Sequence, residues 1–484
     1  MTKRDNKKRH TDRATDSRDE SDEFNEYDEA IEAEEHDGAE GALAADRRTD
    51  DEATFEFGQQ DLARAVLFLV STRGDDDIEE RFDELAGLCS TAGIDAVATL
   101  SQPREHPTPS HYLGKGKTEE LAALISEVDA RVAVCDEELS PVQGRNLEKA
   151  LGVRVLDRSE LILSIFASRA RSKQARLQVE LAQRQYQLPR LRRLWTHLDR
   201  ERGGTGALGG MGEKQIDVDR RLLQERITSL RRRLDEIEER KRREIKTRKN
   251  EFLVSLVGYT NAGKSTLMNA LTGAGVLEEN RLFSTLDTRT RRWELGEGRH
   301  VLLSDTVGFI RDIPHKLVRS FHATLAEALE SDLLLVVTDA SDPCCQERVD
   351  TVLGVLDEIG AQGKDMLLVF NKIDALEDRG ELAILRSRFD ESLAVSARSR
   401  EGIDALVSAV RARLDAASRH VTLVVPHRLA SLHQPIREQV SVLSVDWRDD
   451  AAHFEVLASP SVLEHLVAKG IGVLDDSSGS ASSE

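Results

Sequence analysis

Residues 252–266 read FLVSLVGYTNAGKST, an apolar run followed by a Gly-x4-Gly-Lys-Ser loop. The apolar run predicts a buried strand, and the residues from Lys264 onward predict a helix. Gly258 and Gly263 allow the loop to turn closely, so that backbone N–H groups and the helix N-terminus face an anion. The stretch therefore predicts a phosphate-binding loop (P-loop) at the carboxyl edge of a doubly wound α/β sheet.

Two further motifs follow the P-loop in the order typical of guanine-nucleotide switches. DTVG begins at Asp305 and NKID begins at Asn371. Lys264 is expected to reach the β and γ phosphates, and Ser265 to offer its hydroxyl to Mg²⁺. Asp305 is expected to complete the metal shell through water. The order of the three motifs carries this interpretation, because the P-loop string alone is much less specific.

The NKID motif predicts which base is bound. Asp374 can accept hydrogen bonds from both N1–H and the exocyclic amine of guanine, and adenine does not present these two donors together. Asn371 and Lys372 are expected to brace the loop and the ring. The tripeptide SAR at 396–398 follows the strand-like LAV, where a backbone N–H can meet guanine O6. These residues predict GTP and GDP as ligands.

Two segments are expected to respond to the γ phosphate. Switch II begins with DTVG, where the N–H of Gly308 can reach that phosphate. Switch I is expected in RLFSTLDTRTRR, residues 281–292, where Thr285, Thr288 or Thr290 could bind Mg²⁺, and we predict Thr285.

The residue after Gly308 is Phe309, whereas a glutamine there could orient the attacking water in Ras-like enzymes. Intrinsic hydrolysis is therefore expected to be slow, with a partner ordering the switches or the water.

The predicted site residues fall into three groups. The predicted catalytic residues are Lys264, Thr285 and Gly308. The predicted magnesium ligands are Ser265, Thr285 and, through water, Asp305. The predicted GTP-binding residues are Gly258, Tyr259, Thr260, Asn261, Ala262, Gly263, Lys264, Ser265, Thr266, Phe283, Thr285, Asp305, Gly308, Asn371, Lys372, Asp374, Ser396, Ala397 and Arg398.

Charge is distributed unevenly along this chain of 484 residues, whose formal net charge is −20. Residues 1–60 hold 20 acidic and 9 basic side chains, whereas residues 169–249 hold 24 basic and 12 acidic ones. A basic region in an acidic protein suits a polyanion such as RNA, because phosphate neutralisation releases counterions. Solvated helix faces are the alternative explanation.

The remaining composition indicates a soluble cytoplasmic protein. Cys89, Cys135, Cys344 and Cys345 show no metal-ligand spacing, which suits a reducing compartment. No apolar run approaches the roughly 18 residues needed to cross a bilayer, and the charged start lacks the apolar core of a secretion signal.

The predicted fold class is α/β and multidomain, with six segments. They are a disordered acidic tail at 1–60, an N-terminal parallel α/β domain at 61–157, a basic helical hairpin at 158–249, a doubly wound P-loop GTPase domain at 250–417, a small C-terminal α+β domain at 418–475 and a disordered tail at 476–484.

In the hairpin, a first helix is expected to run through ELILSIFASRA and LQVELAQRQYQLPRLRRLW to a glycine-rich tip at 203–212. In the second helix, Ile216, Leu223, Leu230 and Ile237 recur every seventh residue, with Ile227 and Leu234 between them, which predicts an apolar seam against the first. The hairpin could be a binding arm or an interdomain spacer.

Three longer stretches carry a resemblance to one family. They read DRSELILSIFASRARSKQARLQVELAQRQYQLPRLRRLWTHLDRERGGTG from Asp157, DRRLLQERI from Asp219 and DTVGFIRDIPHKLVRSFHATLAEAL from Asp305. They join the basic helical arm to one particular switch II sequence. Over residues 64–416 the chain resembles the HflX family of ribosome-associated GTPases.

The resemblance implies a Mg²⁺-dependent GTPase that binds the large (50S) ribosomal subunit and its rRNA, is stimulated by it, and splits stalled or idle ribosomes. A checkpoint factor in large-subunit maturation and a signalling switch with protein partners are the alternatives. In the family, the hairpin loop enters the interior of the subunit, and the protein is expected to bind as a monomer. By position, the implied RNA contacts are Arg190, Arg192, Arg193, Trp195, His197, Arg200, Gly203, Gly204, Gly206 and Arg220.

The stretch YLGKGK at 112–117 is also similar to a motif in the family's N-terminal domain, to which an ATP-directed activity is attributed. A tight turn before a helix is the alternative interpretation.

Overall fold

The computed structural model describes residues 63–71, 77–191, 209–247, 251–273, 282–283, 285–286, 288–296, 299–311, 328–389 and 391–475, with only the backbone at 209–215 and 241–247. The predicted disordered tails at 1–60 and 476–484 lie outside the described residues. Among the described residues, no helix is both long enough and apolar enough to cross a bilayer.

The N-terminal sheet is parallel throughout, in the order β2-β1-β3-β4. Its strands are β1 (Ala63–Ser71), β2 (Ile94–Pro103), β3 (Val132–Cys135) and β4 (Arg154–Asp157), and its helices are α1 (Ile78–Thr91), α2 (Lys115–Glu127) and α3 (Pro141–Leu151). The apolar run from Ala65 to Val70 is buried on both faces of β1, as expected of an inner parallel strand.

Helices follow the first sheet: α4 (Arg158–Arg169), α5 (Lys173–Gln187) and α6 (Gly209–Thr247). The prediction of one continuous first helix was wrong, because the chain leaves helical geometry at Ala170 and Ser172 caps α5 by accepting from the Ala175 N–H. The predicted glycine-rich tip was also too long. Residues 209–212 are helical, because an established helix gains one hydrogen bond for each residue added.

The seam of α6 is buried over part of its predicted length. Ile227, Leu230 and Leu234 are buried against Leu181 of α5, whereas the outer members of the seven-residue repeat are only half-buried. Arg226 of α6 also pairs with Glu180 of α5 at 2.8 Å, so the two helices are joined by a short apolar contact with an ion pair beside it.

The central sheet has six strands in the order β10-β9-β8-β5-β7-β6, and only β6 is antiparallel to its neighbour. Its strands are β5 (Leu253–Gly258), β6 (Arg289–Gly296), β7 (Arg299–Asp305), β8 (Leu333–Asp339), β9 (Asp365–Asn371) and β10 (Ser392–Ala394). Its helices are α7 (Lys264–Thr272), α8 (Cys345–Glu358), α9 (Arg379–Arg388) and α10 (Ile403–Ala417). The predicted α/β class is confirmed.

The last sheet is antiparallel, in the order β12-β13-β11-β14. Its strands are β11 (Arg419–Pro426), β12 (Ser441–Trp447), β13 (Ala451–Ala458) and β14 (Gly472–Asp475), with α11 (His433–Gln439) and α12 (Pro460–Ala468). The helix α12 begins at Pro460, and the Ser459 hydroxyl accepts from the Val462 N–H.

The seam between α5 and α6 generates a stability prediction. Leu230→Ala removes a fully buried side chain and should destabilise the hairpin by about 2–5 kcal/mol. Leu222→Ala on the same helix removes a side chain that is 54% exposed and should change stability by less than about 0.5 kcal/mol. Hydrogen exchange of residues 173–187 and 209–247 measures both effects. Equal exchange in the two variants would contradict the seam.

Candidate functional site

The P-loop lies at the carboxyl end of β5, in close contact with its neighbours. A Cβ on Gly258, whose φ is +154°, would overlap the carbonyl oxygen of Val337 in β8. A Cβ on Gly263, whose φ is +86°, would overlap the side-chain amide of Asn371. Both positions therefore require glycine, for space and for backbone conformation.

Lys264 is buried at the start of α7 and turns back over the loop. Its Nζ donates to the carbonyl oxygens of Gly258 at 3.1 Å and Tyr259 at 2.8 Å. Burial lowers the pKa of Lys264 to about 8, and the nearby Asp305 opposes this shift. An anionic group beside Nζ would favour the charged form, so this lysine is suited to hold a phosphate.

Three side-chain oxygens from three separate segments meet beside Lys264. Ser265 Oγ lies 2.9 Å from Thr285 Oγ1 and 2.6 Å from Asp305 Oδ2, and Thr285 Oγ1 lies 3.1 Å from Asp305 Oδ2. Thr285, the predicted choice among the three candidate threonines, therefore lies against Ser265. Thr290 lies in β6 and bonds Ser304 at 2.8 Å instead.

This cluster has the chemistry of a magnesium site. Two neighbouring ligands in an octahedron of Mg²⁺, each about 2.0–2.1 Å from the ion, lie about 2.9 Å apart, as the Ser265 and Thr285 hydroxyls do. The other oxygen of Asp305, Oδ1, is buried and has no hydrogen-bond partner among the described residues. Burial raises the pKa of Asp305, with Lys264 opposing the shift. A cation with its bound water would suit this carboxylate.

Switch II lies against the P-loop. The Thr260 N–H donates to the Phe309 carbonyl at 2.7 Å, and the Phe309 N–H donates to the Gly258 carbonyl at 3.0 Å. A Cβ on Gly308 would come within 2.9 Å of Lys264 Nζ. Glycine is thus needed for the close approach of this backbone to the lysine.

The NKID loop joins the P-loop to the SAR loop. Asn371 Nδ2 donates to the Ala262 carbonyl at 3.0 Å, and the Ala397 N–H donates to Asn371 Oδ1 at 3.0 Å. The hydroxyl of Ser396 donates to Asp374 Oδ1 at 2.6 Å. Because Asp374 is otherwise exposed, its carboxylate is oriented and can accept hydrogen bonds from a base.

Two contacts at this loop were not predicted. The sequence predicts only that a backbone N–H near Ser396 contacts guanine O6, whereas in the structure the Ser396 hydroxyl orients Asp374. Lys372 Nζ forms an ion pair with Asp339 Oδ2 at 2.7 Å. The position of Asp339 at the carboxyl end of β8 could have indicated this partner, since the carboxyl ends of parallel strands meet at one edge of the sheet.

The implied RNA contact of Arg190 was wrong. Its side chain is buried, and Nη2 donates to the Leu139 carbonyl at 2.6 Å and to Asp157 Oδ2 at 3.2 Å. The guanidinium also lies over the ring of Tyr186, with Cζ 3.6 Å from the ring centroid. Arg190 therefore joins the hairpin to the N-terminal sheet.

Arg220 is exposed on α6, so its side chain can meet a partner. The other implied RNA contacts lie outside the described residues: Arg192, Arg193, Trp195, His197, Arg200, Gly203, Gly204 and Gly206.

The YLGKGK stretch forms a turn that begins α2. The side chains of Tyr112 and Leu113 are buried in the N-terminal core, and the Tyr112 hydroxyl accepts from the Val70 N–H at 3.0 Å. Gly114 precedes the helix, and its N–H donates to Gln102 Oε1 at 2.8 Å. These contacts favour the interpretation as a turn.

Family models match three consecutive parts of the chain. The model described as "GTP-binding GTPase N-terminal" matches residues 79–167, and "GTP-binding GTPase Middle Region" matches residues 169–248. The model described as "50S ribosome-binding GTPase" matches residues 253–372. The last range contains the P-loop, both switches and the first two residues of the NKID motif.

Individual proteins match over most of the chain. A GTPase HflX of Magnetococcus marinus is 45% identical over 393 residues, which is 81% of this chain and 91% of the relative. A GTPase HflX of Escherichia coli is 41% identical over 400 residues, 82% of this chain and 92% of the relative. A GTP-binding protein from Sulfolobus solfataricus, solved in complex with GDP, is 26% identical with a TM-score of 0.41, covering 73% and 98% of the two chains.

The geometry of Asp374 predicts the base specificity. Asp374→Asn should weaken GTP binding by about tenfold or more, because hydrogen bonds to a charged group contribute about 1.5–3 kcal/mol. The variant should bind a xanthine nucleotide better, since the C2 carbonyl of xanthine can accept from the new amide. Equilibrium titration checks this, with Glu377→Gln, an exposed carboxylate nearby, as the control. An unchanged preference for guanine would contradict the assignment.

The oxygen cluster predicts a dependence on magnesium. Removing Mg²⁺ with a chelator should weaken the binding of GTP to the unmodified protein. Thr285→Ala should lose much of this dependence on added Mg²⁺, because it deletes one of the two hydroxyls suited to the ion. Thr290→Ala, whose hydroxyl bonds Ser304, should retain it. Identical magnesium titrations of the two alanine variants would contradict the proposed ligand set.

Proposed function

The chain belongs to the HflX family of GTPases, and from this membership we propose that it binds the large ribosomal subunit, hydrolyses GTP there and splits stalled or idle ribosomes. The observation that carries the proposal is the combination, in one chain, of an assembled switch site with an exposed basic helix. The P-loop domain matches a model described as "50S ribosome-binding GTPase". The helix α6 exposes Arg220, Arg231 and Arg233.

For hydrolysis we propose electrostatic stabilisation. In this proposal Lys264 would hold the β and γ phosphates, and the backbone of Gly308, which lies close to Lys264 Nζ, would contact the γ phosphate. Ser265 and Thr285 would hold Mg²⁺ directly, and Asp305 would hold it through water. When bound, the ion would neutralise charge that develops on the phosphate oxygens.

The side chain that follows Gly308 is the reason to expect a slow intrinsic reaction. Phe309 is buried and apolar, so it cannot orient an attacking water as a glutamine can. We therefore propose that the ribosome supplies or orders what this position lacks. Stimulation by the large subunit follows from that proposal.

The basic hairpin is the proposed rRNA contact. Arginine side chains on α6 would bind phosphates along an RNA backbone without reading its sequence. Loss of the γ phosphate would release the switches, and we propose that this release weakens the binding of the hairpin to rRNA. The same elements could serve large-subunit maturation. Preference for immature subunits over intact idle ribosomes would favour that alternative.

The proposed function predicts two results with purified ribosomes. Intact ribosomes should separate into subunits on addition of the protein with a non-hydrolysable GTP analogue, as followed by light scattering, and much less with GDP. Phosphate release should be slow for the free protein and faster with large subunits. A rate that ribosomal particles do not change would contradict the proposed stimulation, and a constant scattering signal would contradict splitting.

The role of α6 is tested separately. Arg231→Gln combined with Arg233→Gln should weaken capture on large subunits and flatten its salt dependence, because fewer counterions are released. The matched control is Arg379→Gln combined with Arg448→Gln, which removes two exposed charges elsewhere. Pelleting across a range of salt concentrations measures both. An equal loss in the two double variants would argue against a specific contact by α6.

A further inference from the structure

One helix outside the P-loop domain touches both switches. The ring of Phe166 on α4 packs edge-to-face on Phe283 of switch I, with centroids 4.7 Å apart. Arg158 on the same helix donates from Nη2 to the carbonyl of Arg311 in switch II at 3.0 Å. Eight residues separate the two contacts, which places them about 12 Å apart along the helix axis.

The switch II contact belongs to a closed ring of hydrogen bonds. The hydroxyl of Tyr259, in the P-loop, donates to Glu84 of α1, and Arg158 donates to the same carboxylate. Arg158 also donates to the Arg311 carbonyl, and the Arg311 N–H returns to the Tyr259 hydroxyl at 2.8 Å. Both backbone polar groups of Arg311 are thus held, three residues after Gly308.

Burial makes this ring costly to disrupt. The side chain of Arg158 is 3% exposed and that of Glu84 is 10% exposed. Arg158 Nη1 also donates to the buried Asp136 at 2.8 Å, and Arg81 donates to that carboxylate at 2.8 Å. Removing one member of such a network leaves a buried charge with fewer partners, which is strongly unfavourable. The ring should therefore be retained or broken as a unit.

The switch I contact supports an unusual backbone conformation. Phe283 has φ +54°, a region that bulky residues rarely adopt, and its side chain is buried. Packing against Phe166 compensates for that conformation. Two residues later, Thr285 lies against Ser265 in the arrangement that suits Mg²⁺. We call this conformation of switch I, with Thr285 against Ser265, the closed form, and the aromatic contact and the oxygen cluster belong to it together.

The helix α4 is followed directly by the basic hairpin, which consists of α5 and α6. The helix α4 ends at Arg169, and α5 begins at Lys173 and packs on α6 through Leu181 and Leu230.

A second contact between the N-terminal domain and the P-loop domain lies beside the ring. Glu80 of α1 accepts from Cys344 Sγ at 2.7 Å and pairs with Arg348, whose Cζ lies 4.9 Å from the centroid of the Tyr259 ring.

We propose that α4 couples the two switches to the hairpin, with Glu84 and Arg158 as positioning residues and Phe166 as the contact to switch I. The proposal rests on the proposed function for the role of the hairpin. Because the ring and the aromatic contact occur together with the closed form of switch I, they stabilise that form. A nucleotide with a third phosphate binds the closed form, so these contacts favour it over GDP.

Glu84→Gln tests the ring, because glutamine keeps the shape but removes the charge that Arg158 requires. The ratio of the dissociation constants for GDP and a non-hydrolysable GTP analogue should shift about five- to tenfold towards GDP, as expected for a weakened charged hydrogen bond. The matched control is Asp415→Asn. Asp415 on α10 also pairs with a largely buried arginine, Arg299, at 3.0 Å, but away from α4 and the hairpin.

Phe166→Leu tests the switch I contact independently, and it should shift the same ratio in the same direction. Its control is Phe68→Leu, which removes an edge-to-face contact with Tyr112 inside the N-terminal core. Thermal unfolding of all four variants shows whether each is folded. Competition with a fluorescent nucleotide gives the two dissociation constants in the absence of ribosomes.

An unchanged ratio in folded Glu84→Gln and Phe166→Leu would overturn the proposal, as would an equal shift in the controls. This outcome is distinct from failure of the proposed function. If the unmodified protein does not split ribosomes but the two variants shift the nucleotide ratio, the contact with the switches stands and the function does not. If the protein splits ribosomes and the ratio is unchanged in the two variants, the proposed function stands and the proposed coupling through α4 does not.

Discussion

Three oxygens, from Ser265, Thr285 and Asp305, lie within 3.1 Å of one another at the centre of the proposed nucleotide site. They come from the start of a helix, an irregular segment and the end of a strand. The sheet contributes to this meeting because β5, which leads to the helix, and β7 are parallel neighbours that end at the same edge. The glycines of the P-loop and switch II then allow the backbone to approach this point closely, and the buried Lys264 supplies the positive charge beside it.

The same constraint extends beyond the P-loop domain. In switch I, Phe283 packs on Phe166 two residues before Thr285. In switch II, Arg311 lies three residues after Gly308 and is held by the ring around Arg158. Burying these charges would be unfavourable if they served stability alone, because desolvation offsets most of the Coulomb attraction. Their arrangement at the switches is consistent with a role in fixing one conformation. These contacts are the basis of the proposed coupling between the N-terminal domain and the switches.

How far the sequence predicts this structure depends on how local each signal is. The P-loop, NKID and the strands before them were predicted from short motifs, because neighbouring residues determine their geometry. Arg190 was misassigned, because a role carried over by position from the resemblance does not reveal that Asp157 and Leu139 would enclose its guanidinium. The break at Ala170 was missed for a similar reason, since ELILSIFASRA alone favours helix. The pair Tyr259 and Glu84 is separated by 175 residues, and no pattern in one sequence connects them.

Under the proposed coupling, a third phosphate changes the hairpin through α4. Hydrogen exchange of the free protein, compared between GDP and a non-hydrolysable GTP analogue with Mg²⁺, measures this change. Protection should be greater with the analogue at 282–311 and, in the same comparison, at 158–187 and 209–247. Protection confined to 251–311, with the hairpin and α4 exchanging identically in both states, would contradict the proposed coupling.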